Sequence, residues 1–225
     1  MGGRIMKQIL IDKNVLKNNY KVAEKNRNLL SKEKIFTINL LGSPGSGKTS
    51  LLESIIGNMK KQINMAVIEG DLYTVKDAKR IEEQNIDVIQ LNTNGACHLD
   101  ASMVEKALCN MELENLDFLV IENVGNLVCP ASYDLSEDMK VVVMSITEGN
   151  DKPLKYPSMF QRSSVVILNK VDMIDLTDFD KEEFYKDIYS LNNNIKVFEV
   201  SCRTNIGIDD VSNYFLDKVK EKKSL

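Results

Sequence analysis

Gly42-Ser43-Pro44-Gly45-Ser46-Gly47-Lys48-Thr49 follows an apolar run, Ile35 to Leu41, and precedes Leu51, Leu52, Ile55 and Ile56 at helical spacing. A strand that ends in such a loop and turns into a helix aims successive backbone N–H groups, and the positive end of the helix dipole, at one point in space. A polyphosphate fits there. Gly42, Gly45 and Gly47 let the backbone approach phosphate oxygens without a Cβ in the way, Lys48 reaches the β/γ-phosphates, and the Thr49 hydroxyl is placed to ligate Mg²⁺. The nucleotide-contacting run is taken as Gly42 to Ser50, including Ser43, Pro44 and Ser46. The bland alternative, a Gly-rich turn joining a strand to a helix, does not require the full eight-residue pattern in that setting.

Outward from this loop, apolar runs alternate with amphipathic stretches: 35–41 then 47–61, 64–69 then 74–84, 86–91 then 100–112, 117–122, 140–147, 164–169 then 180–190, 195–200 then 208–222. The alternation predicts an α/β, three-layer P-loop NTPase fold, a mainly parallel sheet with helices on both faces. Ligands belong beyond the carboxyl ends of its strands. Before residue 34, Val15, Val22, Leu29 and Leu30 sit on a helix rich in Asn, Lys and Arg, expected to pack on the domain as an extra helix. The division is therefore an N-terminal segment and helix, 1–33, and a P-loop domain, 34–225.

The base is read further along, where Ser164 to Leu168 is followed by Asn169-Lys170-Val171-Asp172. A carboxylate at Asp172 accepts both the ring N–H and the exocyclic amino group of guanine, a pair that adenine lacks. Asn169 braces the loop and Lys170 lays its stem over the base. A polar turn after a strand is the competing reading, since Asn and Asp are common in turns; the phosphate loop upstream favours GTP. Ser201-Cys202-Arg203 follows the run Ile195 to Val200, where GTPases commonly place a short loop that touches the guanine oxygen.

Two further strand ends deliver carboxylates. Val67-Ile68-Glu69-Gly70-Asp71 and Leu119-Val120-Ile121-Glu122-Asn123-Val124-Gly125 each close an apolar run. Asp71 and Glu122 are expected to join Thr49 around Mg²⁺, directly or through water, with the Gly125 N–H placed to sense the γ-phosphate. Helix capping is the alternative for either acid, and for Glu69 the two readings balance.

Composition narrows the class. At 225 residues, 43% hydrophobic and 28% charged, the chain can build one large core. A net charge of −4 speaks against nucleic acid or an anionic membrane as partner. No run approaches a membrane span, and the first residues, with Arg4, Lys7 and Asp12, lack a signal-peptide apolar region. A cytoplasmic location is expected, with the four cysteines as thiols, ligands or core residues.

Asn94-Gly95-Ala96-Cys97-His98-Leu99-Asp100 holds the only histidine, and Cys129-Pro130 lies just after the Gly125 loop. Thiolate and imidazole suit Zn²⁺ or Ni²⁺, and three such ligands leave an open, transferable position. Buried cysteines are also frequent small hydrophobes, and the spacing alone leaves both readings open. Cys109 is read as core and Cys202 as part of the guanine loop.

These segments, together with Glu122 to Pro130, Thr147 to Pro157 and Asn169 to Asp172, resemble the hydrogenase nickel-incorporation GTPases, the HypB family, from about residue 15 to the end. The resemblance implies a SIMIBI-class GTPase cycling between GTP and GDP that forms a nucleotide- or metal-dependent homodimer. It implies Ni²⁺ or Zn²⁺ at Cys97, His98 and Cys129, and action with the metal-binding partner HypA on the large subunit of nickel-iron hydrogenase. No Cys-x-x-Cys-Gly-Cys motif or His-rich tract occurs in these residues, so nickel storage is not expected. The segment Asp151 to Pro157 is read either as a dimer interface, with Lys152 reaching the neighbouring nucleotide, or as a surface loop. Urease maturation shares this chemistry and remains the alternative client. A P-loop kinase would need arginines on a lid, and the chain has only Arg4, Arg27, Arg80, Arg162 and Arg203.

Overall fold

The computed structural model describes residues 12–71, 76–93 and 95–225. Seven strands form one wholly parallel sheet: β1 (Phe36–Gly42), β2 (Met65–Asp71), β3 (Asp87–Asn92), β4 (Phe118–Glu122), β5 (Met139–Ser145), β6 (Val165–Asn169) and β7 (Lys196–Glu199), in the order β3-β2-β4-β1-β5-β6-β7. Parallel strands covered on both faces have no solvent side, which is why β1, β4 and β6 are buried at every residue and read as mainly apolar runs, β4 and β6 ending on a polar residue and β1 carrying Thr37 and Asn39. The eight helices described are α1 (Asp12–Lys32), α2 (Lys48–Met59), α3 (Lys76–Glu82), α4 (Ala101–Leu108), α5 (Lys152–Lys155), α6 (Pro157–Gln161), α7 (Lys181–Leu191) and α8 (Ile208–Ser224).

On one face, Leu51, Leu52, Ile55 and Ile56 of α2 pack with Val211 and Phe215 of α8 over Ile38 and Leu40 of β1, Phe118 and Val120 of β4 and Val141 and Val143 of β5. The other face is covered in two parts: α6 and α7 over β5 and β6, and α1 and α4 over β2 and β4. The expected three layers are therefore present. Because β1 sits centrally between β4 and β5, the loops leaving β1, β2, β4, β5 and β6 converge on one edge.

Three expectations are corrected in detail. The helix expected over 100–112 ends at Leu108; Cys109 caps it and is exposed, so it is not a core residue. Ala107 and Leu108 hold the inward stripe at that turn, and the next position points outward. The segment 151–157 is not a plain loop but carries α5 and the start of α6, with Pro153 and Pro157 in their first turns. On α1 the buried stripe is Asn19, Ala23, Asn26 and Leu30, whereas Val15 and Leu29 are 49% and 39% exposed. The two asparagines are hidden because each has backbone partners on neighbouring elements. Residues 1–11 of the N-terminal segment, the Leu72-Tyr73-Thr74 stretch after Asp71, and Asn94 lie outside the described residues.

Candidate nucleotide and metal site

The loop from β1 to α2 needs glycine at position 47. Gly47 has φ of 97° at the start of α2, and a Cβ there would run into the Asn169 side-chain amide. That amide donates to the Ser46 carbonyl at 3.0 Å, which ties the phosphate loop to the end of β6. Lys48 is buried, its ammonium donating to the carbonyls of Gly42 and Ser43 at 3.3 Å each. Burial lowers its pKa, opposed by the carboxylate of Glu122. Ser46 Oγ is buried with no hydrogen-bond partner among the described residues.

Thr49 Oγ1 donates to Glu122 Oε1 at 2.9 Å, so the end of β4 meets the first turn of α2. Glu69 stands beside Glu122 in the strand register, and Oε2 of each is buried without a partner among the described residues. Burial pushes Glu122 up to about 7. Burial, then the Glu122 charge, pushes Glu69 up to about 8. Thr49, Glu69, Asp71, Glu122 and Gly125 line one cleft of about 470 Å³ with the phosphate loop. Asp77 and Arg80, which sequence reasoning did not single out, line it too. Arg80 forks onto Glu53 at 2.6 and 3.1 Å and donates to Asp77 and Ser50 Oγ at 3.2 Å. Their only signal in the sequence was their place in the amphipathic stretch 74–84 that follows Asp71.

The raised pKa of Glu122 has a stability consequence. Its folded-state value lies above the unfolded one, so the stabilisation is full at low pH and is lost as pH rises from about 4.5 to about 7. Glu122→Gln keeps an acceptor for Thr49 without the buried charge. Without nucleotide or divalent ions, this variant is expected to be more stable than the native chain at pH 8 by roughly 2 kcal/mol, and equally stable near pH 4. Denaturant melts at the two pH values check this; a variant weaker than the native chain at pH 8 contradicts it.

A second cavity, of about 320 Å³, opens behind the phosphate loop, lined by Gly47, Ser50, Asn169, Lys170, Asp172, Met173, Cys202 and Arg203. Asp172 Oδ1 accepts from Ser201 Oγ at 2.6 Å, and Arg203 stands 3.8 Å from Oδ2. Asn169 Oδ1 accepts the Lys170 N–H at 2.7 Å and the Cys202 N–H at 3.4 Å. Lys170 adopts φ of 63° and its ammonium donates to the Gly45 carbonyl at 2.7 Å. The residues read from sequence as base-contacting are thus brought together around one cavity. Lys152 is the exception: it pairs with Glu148 at 3.4 Å and lines neither cavity of its own chain.

The third cluster lies beside the first. Cys97 Sγ is 2.9 Å from Cys129 Sγ and 3.6 Å from His98 Nδ1, and one ligand atom from each residue lies within 4.8 Å of the others. Asp100 caps α4 by accepting the Met103 N–H at 2.8 Å, which stops the helix short of Cys97 and His98 and leaves them in an irregular loop. Burial lowers the His98 pKa, so the ring is neutral and ligand-ready at neutral pH. The hydrogen bond with Cys97, followed by burial, raises that of Cys129. Two thiols and an imidazole form a soft donor set suited to Ni²⁺ or Zn²⁺.

Two asparagines join this cluster to the phosphate loop. Asn123, one residue past Glu122, accepts the N–H groups of Leu99 at 3.2 Å and Val124 at 3.0 Å. Asn126 donates to the Cys97 carbonyl at 3.4 Å, accepts from the Val128 N–H at 2.8 Å and bridges backbone to backbone with Gly42. Gly125 between them packs on Pro44. The run Glu122 to Cys129 therefore touches both Thr49 in the phosphate-loop cleft and the sulfur cluster.

Residues 36–199 match the family described as CobW/HypB/UreG, nucleotide-binding domain. The chain is 45% identical over 214 residues to the hydrogenase maturation factor HypB of Escherichia coli K12, covering 95% of this chain and 73% of that protein. It is 40% identical over 216 residues to the hydrogenase/urease maturation factor HypB of Helicobacter pylori J99, covering 94% and 88%. Among solved structures it is similar to HypB from Helicobacter pylori in complex with nickel, with a TM-score of 0.86 and 38% identity over 91% of this chain and 96% of that one. A nucleotide-binding P-loop domain carrying a cysteine-histidine cluster on the adjoining loops, with relatives this similar along most of its length, belongs to the HypB family of hydrogenase maturation factors.

Proposed function

We propose that this protein is a GTPase metallochaperone that couples GTP binding and hydrolysis to the delivery of nickel during maturation of nickel-iron hydrogenase. The observation that carries the reading is the run Glu122 to Cys129, which ends one face of the phosphate cleft and supplies a ligand atom to the Cys97, His98 and Cys129 cluster. Nickel is the cargo, held by an incomplete donor set that can hand it on.

In the nucleotide cleft, Lys48 and the loop N–H groups hold the β- and γ-phosphates and stabilise the charge that builds on the transferred group. The oxygen donors of Thr49 and Glu122, with Asp71 nearby, fit Mg²⁺, and the partnerless Glu122 Oε2 supports that fit. Bound Mg²⁺ would neutralise charge between the phosphates. Gly125 faces the γ-phosphate end through its packing on Pro44, so a change in phosphate occupancy shifts a loop that also carries Asn126 and Cys129. Linkage then makes the coupling reciprocal: if GTP changes nickel affinity, nickel changes GTP affinity by the same factor.

A homodimer that forms with nucleotide or metal fits this scheme, because three ligands per chain near a two-fold axis can be pooled. Lys152, which pairs with Glu148 in its own chain, is then available to the neighbouring nucleotide through the α5 segment. HypA and the hydrogenase large subunit are the partners on either side of the transfer. The Helicobacter pylori relative's name, which joins hydrogenase and urease, keeps urease as a second client.

The test is a nickel titration of one purified sample loaded with GDP or with a non-hydrolysable GTP analogue, with the oligomeric state recorded alongside. Different nickel affinities in the two states are expected; equal affinities reject the coupling. Asp172→Asn tests the base. It is expected to lower GTP affinity by about 100-fold and to admit xanthine nucleotides, because two charge-assisted hydrogen bonds to guanine are lost. Competition calorimetry with GTP, ATP and XTP measures it, and a native chain that binds ATP as tightly as GTP rejects the assignment.

A further inference from the structure

We infer that Tyr133, held in place by helix α1 through Asn19, is a positioning residue for nickel binding at His98. The proposal rests on the reading of Cys97, His98 and Cys129 as the nickel site. The rings of Tyr133 and His98 stack with centroids 3.9 Å apart and planes 28° from parallel. A metal-binding imidazole needs its plane fixed by something outside the ligand set. Nδ1 of His98 faces Cys97 Sγ at 3.6 Å, and the broad face of the ring rests on Tyr133. The tyrosine itself packs against the core cluster that includes Leu99 and Leu135, four residues after Cys129 in the chain.

Asn123 and Asn126 tie the two loops on the inner side of this stack, and α1 ties them on the outer side. Asn19 is buried and bridges them: its amide donates to the Asp134 carbonyl at 2.8 Å, and its oxygen accepts the Ala101 N–H at 2.8 Å. Asn26 donates to the Ala101 carbonyl at 2.9 Å, and Ser136 Oγ donates to the Ala23 carbonyl at 2.9 Å. Ala101 opens α4, three residues after His98, and Asp134 follows Tyr133. Helix α1 is thus a clamp on the outer side of the metal site, and the buried asparagines that make its inward stripe polar are the clamp's contacts. This gives a reason for placing costly polar groups where an apolar stripe would pack as well.

The test uses the full chain as Tyr133→Ala, Tyr133→Phe and Asn19→Ala, each titrated with Ni²⁺ and with GDP, following the thiolate-to-nickel absorption band. Tyr133→Ala is expected to weaken Ni²⁺ binding about tenfold and to alter the band, in the range found when outer residues around a metal site are removed. Tyr133→Phe, which keeps the ring, is expected to stay within twofold of the native chain. Asn19→Ala is expected to weaken Ni²⁺ in the same direction as Tyr133→Ala, with GDP affinity unchanged in all three. Native nickel affinity and spectrum in Tyr133→Ala would overturn the proposal. An equal loss of GDP affinity in that variant would also overturn it, because the role would then be general folding. A native chain that binds no Ni²⁺ would instead overturn the underlying assignment of the nickel site, and this proposal with it.

Discussion

Lys48→Ala is expected to lower GTP turnover by about 100- to 1000-fold, the cost of removing one preorganised charge from a phosphoryl-transfer site. Lys48 is buried in the cleft, where its ammonium donates to the neutral Gly42 and Ser43 carbonyls at 3.3 Å each. Neutral carbonyls do not balance a buried cation well, which is why burial pulls its pKa down. The charge is therefore kept in an unfavourable place, and a polyphosphate is the anion that would relieve it. Alanine removes that charge while the loop backbone stays tied by the Asn169 amide to Ser46. Single-turnover phosphate release measures the loss, with a melting curve to show that the variant is folded. Retained turnover would move the hydrolytic site elsewhere.

The sheet was legible because its central strands are covered on both faces and so appear as mainly apolar runs bounded by helical spacing; β4 and β6 are the clearest cases, whereas the edge strands β3 and β7 are only partly buried. The strand order was not, since nothing in a local run says that β4 lies between β2 and β1. Site residues at strand ends were legible for the same reason: Glu122 and Asn169 end runs that point to one edge. What stayed hidden were residues whose role depends on a distant partner. Asn19 and Asn26 look like solvated helix positions until the backbones of Asp134 and Ala101 are seen beside them. Arg80 looks like one of several scattered arginines until Glu53 and Ser50 converge on it. Cys109 misled because a helix continued by spacing alone places it inward, whereas α4 stops at Leu108. Cys97 and Cys129 are 32 residues apart, and only the fold brings their sulfurs to 2.9 Å.

That approach sets up the second large effect. The double variant Cys97→Ala/Cys129→Ala is expected to lose Ni²⁺ and Zn²⁺ binding by at least about 1000-fold, because one imidazole alone cannot replace two thiolates at a soft site. Each thiol must give up its proton to bind as thiolate, and the pKa of the Cys129 thiol is pushed up by the hydrogen bond with Cys97 and by burial, so metal uptake should release protons. Affinity is then expected to fall as pH falls. Cys109→Ala and Cys202→Ala are the controls: the first is exposed beyond the end of α4, and the second faces Asn169 Oδ1 at 3.4 Å in the cavity behind the phosphate loop. Both are expected to keep one metal per chain. His98→Ala separates the ring from the sulfurs, since the remaining thiol pair still attracts Zn²⁺ but loses the nitrogen that nickel favours. Equilibrium dialysis at pH 7 and 6, with total metal counted by mass spectrometry, reads all of these together. Native stoichiometry in the double cysteine variant would place the metal at some other group and remove the basis for coupling it to GTP through the Glu122 to Cys129 run.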